Sequence, residues 1–129
     1  VGDAFLRAVN SRRMPATLVM ITSRVARTAY PGWSAYCAGK AAMDHWVRTV
    51  GAEQAIRLGA KVVAVAPGVV DTPMQAEARS TDQADFPDVH RFRKLAADGD
   101  LADPADVARR KRAVVAGLDS GAVVDLRDL

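Results

Sequence analysis

The sequence is poor in the residue types that build most small chemical sites. It has one cysteine, which excludes an internal disulfide framework and fits a reducing compartment, so a cytoplasmic location is expected. Its two histidines, His45 and His90, stand apart, and neither has a second ligand-type residue at metal spacing. No metal is therefore expected. No apolar run approaches the roughly 18 residues of a membrane span, and no secretory signal opens the chain. Charge of one sign is also lacking: 18 Lys and Arg face 15 Asp and Glu, a formal balance of +3, and the basic residues are scattered. That pattern does not make a nucleic-acid surface. Arg109-Arg110-Lys111-Arg112 is the one basic run and reads as a solvated helix face.

Half of the 129 residues are hydrophobic, enough for one compact domain over 1–129 with one core. Phe5, Leu6 and Val9 at helical spacing predict a helix from Val1 to about Arg13, closed by Pro15. Thr17–Thr22 and Lys61–Ala66 are apolar runs without alternation, the mark of strands covered on both faces of a parallel sheet. Between them, Pro31-Gly32 marks a loop over 24–33. Ser34 is positioned to cap a helix over 35–58, which Gly59 ends as the residue beyond its carboxyl cap. Residues 71–99 are polar with a few apolar anchors, Met74, Phe86, Val89, Phe92 and Leu95, and predict one or two short helices forming a mobile lid. Asp103-Pro104-Ala105-Asp106 is a helix start, and Ser120-Gly121 leads into a last strand over 122–126. Strands alternating with helices predict an α/β fold, a Rossmann-like parallel sheet of about three strands with flanking helices.

The chemistry centres on Tyr36 and Lys40. Four residues apart on a helix, they project from one face. A phenol titrates near ~10 and is a poor proton donor at neutral pH, whereas a fixed ammonium beside it stabilises the phenolate. Ser23 follows a strand-length apolar run, which puts its hydroxyl at the carboxyl end of a sheet, where open α/β sheets bind ligands.

Ser23, then Tyr36-Cys37-Ala38-Gly39-Lys40, then Pro67-Gly68-Val69-Val70-Asp71-Thr72-Pro73-Met74 together resemble the short-chain dehydrogenase/reductases. A finer resemblance, carried by Tyr36–Asp44, Asp71–Gln75 and Ser120–Asp125, is to the sepiapterin and benzil reductases. The resemblance implies a carbonyl reductase using a nicotinamide cofactor, NADP(H) in preference to NAD(H), on a small-molecule ketone or diketone. It implies Ser23, Tyr36 and Lys40 as catalytic residues, with Tyr36, Lys40, Pro67, Gly68, Val70 and Thr72 at the cofactor. Ser23, Tyr30, Trp33, Met74 and Asp125 would meet the substrate, Asp125 by holding a guanidine-like edge. Simpler readings stand beside these: Tyr30 and Trp33 as packing aromatics, Thr72 as a helix cap, Asp125 as an exposed strand-end acid, Cys37 as a small helix residue. The small residues Ala35, Ala38, Gly39, Ala41 and Ala42 suggest a homo-oligomer through helix 35–58. No Gly-x-x-x-Gly-x-Gly turn occurs, so the chain reads as a carboxyl-terminal half. It could then be a non-catalytic half-domain serving association, or part of an enzyme assembled from two polypeptides.

Overall fold

A computed structural model describes every residue except Arg13. Three parallel strands, β1 (Thr17–Ile21), β2 (Lys61–Ala66) and β3 (Val123–Asp125), lie in that spatial order. Thr17 pairs with Lys61 and Ala64 with Val123, so the strand ends Ile21, Ala66 and Asp125 gather at one edge of the sheet. Among the described residues five helices accompany them: α1 (Gly2–Ser11), α2 (Ser34–Ile56), α3 (Pro73–Ser80), α4 (Val89–Ala97) and α5 (Pro104–Ala116). The α/β architecture agrees with the expectation of a Rossmann-like parallel sheet. The expected end of the first helix, Arg13, lies outside the described residues.

β2 is the buried centre, with Val62 through Ala66 all closed to solvent. Successive side chains of a strand point to opposite faces. Val62 and Ala64 therefore pack with Leu6 of α1 and Val47 of α2, while Val63 and Val65 are buried on the other side. Burying a valine or leucine contributes roughly 1.5–3 kcal/mol, so this cluster is what holds α1 and α2 to the sheet. β1 has no partner on its outer side among the described residues, and its ends, Thr17 and Ile21, are exposed.

Two helix ends differ from expectation. Trp33, not Ser34, is the cap of α2, because its carbonyl already accepts the first helical bond, from the Cys37 amide at 2.8 Å. At the other end the left-handed residue is Leu58 (φ 53°), with the Leu58 amide bonded to Ala55 and the Gly59 amide to Gln54. Gly59 is needed for a different reason: a Cβ there would sit 2.2 Å from Gln54 Oε1. The start of α5 is as read, with the Asp103 carboxylate accepting from the amides of Ala105 and Asp106 at 2.9 and 3.0 Å.

The polar stretch 71–99 forms two helices, α3 and α4, and is firmly attached. Phe86 and Val89 are completely buried in a second apolar cluster with Phe92, Tyr30, Trp33 and Val69. At its base, the Asp71 amide donates to Ala102 O and the Ala102 amide to Val69 O, both at 3.0 Å.

Candidate active site

α2 crosses the carboxyl end of β1 and packs on the short 3-10 turn Arg24–Ala26. From its first turns, Lys40 reaches back and donates to the Ile21 carbonyl at 2.6 Å. The same Nζ lies 5.7 Å from the Tyr36 ring centroid. The helical period thus brings Tyr36 and Lys40 together at the end of β1. Burial weighs against the ammonium and lowers the Lys40 pKa from its ordinary value, and the Asp44 charge opposes that shift. Asp44 itself is buried and accepts from the Thr22 hydroxyl, also buried. Neither residue was singled out from the sequence, although Asp44 stands four residues after Lys40, on the same helix face.

Ser23 begins the turn that follows β1, two residues beyond the carbonyl that holds Lys40. Its backbone is extended and its Oγ accepts from the Val25 amide at 3.4 Å. The Ser23 and Tyr36 hydroxyls share no hydrogen bond among the described residues. Tyr36 is 37% exposed, with its ring edge-on to Trp33 at 5.7 Å.

Trp33 is stacked on Phe86 at 4.2 Å, and Tyr30 packs against Trp33 and Phe92. Packing and pocket lining therefore coexist: Tyr30 also faces a cavity of about 330 Å³ bounded by Pro67, Gly68, Val69, Phe92, Leu126 and Arg127, among others. Ser23, Tyr36 and Lys40 are not part of its wall, and neither are Trp33, Thr72 and Met74. Met74 is 64% exposed. Thr72 caps α3, its side chain accepting from the Gln75 amide at 3.4 Å.

The turn leaving β2 carries open backbone groups. Gly68 has φ 88°, a conformation that turns the chain away from the sheet. In the bridge between Val70 and Ala102, both ladder bonds use the neighbours of Val70. Its own amide and carbonyl make no hydrogen bond among the described residues, which leaves a donor and an acceptor side by side.

Asp125 requires correction. It is no exposed strand-end acid: its side chain is fully buried. Nor is its carboxylate open to a substrate. Oδ1 accepts from the Arg127 amide (3.0 Å) and Nε (2.9 Å), and Oδ2 accepts from Arg127 Nη2 (2.6 Å) and Arg24 Nε (3.0 Å). Burial alone raises a carboxyl pKa, but the Arg127 and Arg24 hydrogen bonds outweigh it and hold Asp125 well below the ordinary carboxylate range. Arg127, two residues on, was a local signal that sequence reasoning passed over, whereas Arg24 lies 101 residues away in the chain.

His45 and His90 are both exposed. Among the described residues, no helix is long and apolar enough to cross a membrane.

Comparison with known proteins agrees with this architecture. A family model described as short chain dehydrogenase matches residues 3–83. A benzil reductase ((S)-benzoin forming) of Bacillus subtilis is 40% identical over 130 residues, covering 99% of this chain and 54% of the relative. A sepiapterin reductase of Rattus norvegicus is 35% identical over 123 residues, covering 93% of this chain and 45% of that protein. The chain thus spans about half the length of the curated relatives it matches. Among solved structures, a short-chain dehydrogenase/reductase of Saccharomyces cerevisiae superposes with a TM-score of 0.74 at 26% identity, over 87% of this chain and 46% of that one. With strand-end lysine, adjoining tyrosine and Pro-Gly turn all on the carboxyl side of one parallel sheet, the chain belongs to the short-chain dehydrogenase family.

Proposed function

We propose that this chain carries the proton-transfer and substrate-side residues of an NAD(P)H-dependent carbonyl reductase that acts on a ketone or diketone. The observation that carries the reading is the Lys40 ammonium tied to the end of β1 beside the Tyr36 ring, two residues before Ser23. When bound, the reduced nicotinamide supplies the hydride, with NADP(H) favoured over NAD(H). Ser23 Oγ donates to the carbonyl oxygen and stabilises the developing alkoxide. Tyr36 donates its phenolic proton to that oxygen, and the adjoining ammonium favours the phenolate left behind. Lys40 has three donors, of which Ile21 O engages one, so the others are available to ribose hydroxyls. Val70 meets the carboxamide with its unpaired amide and carbonyl, and the Thr72 hydroxyl adds a polar contact beside it. Tyr30 and Trp33 form the apolar wall next to the reacting carbonyl, and Met74 lies where α3 faces solvent.

In the full-length enzyme, Tyr36→Phe should lower kcat by about 10³-fold or more while leaving cofactor affinity nearly unchanged. Retention of turnover would remove Tyr36 from the chemistry. The exposed Ala35, Ala38, Gly39 and Ala42 of α2 further support association of two copies through that helix. Ala42→Trp should give a monomer by sedimentation, and an unchanged assembly would place the interface elsewhere.

A further inference from the structure

The carboxyl end of the sheet holds a charge cluster that the proposed chemistry does not use. Asp125 is its buried centre, with Arg127 paired to both oxygens and Arg24 to one, and Arg27 Nη2 lies 3.9 Å away. Arg24 also donates from Nη2 to Asp128 at 2.7 Å. The cluster therefore ties two short turns together: Arg24–Ala26, which Ser23 caps, and Leu126–Asp128, which Asp125 caps. Gly68 lies under the Arg127 side chain, where an added Cβ would come within 3.4 Å of Cδ, so the same ion pair also fixes one wall of the cavity.

We propose that Asp125 is a positioning residue, which fixes the turn bearing Ser23 through Arg24, and that the substrate is a carbonyl compound held without a guanidine-like edge at Asp125. The inference rests on the catalytic reading of Ser23 given above. A ligand seeking the Asp125 carboxylate would have to displace a bidentate guanidinium two residues away, which acts at high effective concentration, and would leave Arg127 without its carboxylate partner. The adjoining cavity joins an apolar wall of Tyr30, Val69, Phe92 and Leu126 to the charged side chains of Arg91, Asp100, Arg110 and Arg127. Arg24 adjoins Ser23 directly, so tilting its backbone moves the hydroxyl, and a misplacement of about 1 Å can reduce rate by about 10²-fold.

The test is a double-mutant cycle of Arg24→Gln and Asp125→Asn in the full-length enzyme, with benzil and sepiapterin as probes. Each single variant should lower kcat for benzil by about 10- to 100-fold with KM and cofactor affinity within about twofold, and the double variant should be no worse than the poorer single. Additive losses, or a lower thermal midpoint with benzil kcat per folded enzyme unchanged, would overturn the positioning role. A rise in KM for sepiapterin alone in Asp125→Asn would instead make Asp125 a substrate ligand and overturn the proposal. If Asp125→Asn does not fold, Arg24→Gln decides by the same kcat measurement, since the Arg24 side chain is 39% exposed. Ser23→Ala and Tyr36→Phe separate the two levels: their retained turnover would sink the catalytic reading itself. Their inactivity beside a fully active Arg24→Gln would sink only the positioning role.

Discussion

At the scale of single residues, Asp44 has the widest effect for its size. It gives the Thr22 hydroxyl its acceptor, and its charge opposes the desolvation of Lys40. Asp44→Ala strands a buried hydroxyl and should destabilise the protein by about 1–3 kcal/mol, measurable by urea unfolding. Asp44→Asn retains an acceptor and removes the charge. Lys40 then loses its proton at a lower pH, so the alkaline limb of kcat should move toward neutrality relative to the parent. Asp125 acts at the acid end. Its folded pKa is depressed below the unfolded value, so its stabilisation is present above the ordinary carboxylate range and declines as pH falls through the folded value. Asp125→Asn should accordingly flatten the loss of stability below about pH 4. The pairing of Tyr36 with Lys40 was legible in the sequence because helical periodicity is local. The partner of Thr22 and the Arg24 partner of Asp125 were not, because attraction between charges or hydroxyls distant in the chain leaves no periodic trace.

At the scale of elements, the strands and the α5 cap were readable from apolar runs and from Asp103-Pro104, whose physics is confined to a few neighbouring residues. Helix ends were less so, since the left-handed residue at the end of α2 is a leucine followed by a glycine placed for space. Leu58 is almost fully exposed at φ 53°, so Leu58→Gly should raise stability by about 1 kcal/mol in thermal unfolding. Gly51 has the opposite requirement. A Cβ there would meet the Gly121 amide nitrogen at 2.2 Å, backbone that cannot step aside, so Gly51→Ala should push α2 from the lead-in to β3 and cost about 1–3 kcal/mol. Phe86→Ala empties the centre of the second apolar cluster, with an expected loss of about 3–5 kcal/mol. That loss should fall on α4 and its junction with Trp33, and hydrogen exchange at α4 amides should report it before exchange in β2 changes.

At the scale of the whole molecule, the sheet is asymmetric. β2 is enclosed, whereas β1 offers an unpaired edge among the described residues, and Ile21 near it is 43% exposed. Such edges pair readily with other strands. Residues 1–129 produced alone should therefore self-associate in sedimentation experiments, and a stable, monodisperse monomer would contradict that expectation.

The bridge between Val70 and Ala102 bears on how such a fold could diversify. It fastens the two feet of the excursion that carries α3 and α4 with a pair of backbone bonds, independent of the side chains between them. Lengthening an excursion closed in this way adds only about 0.6 kcal/mol of entropy for each doubling. Segments of other lengths and compositions could be grafted between those feet while Tyr36 and Lys40 stay on their own helix.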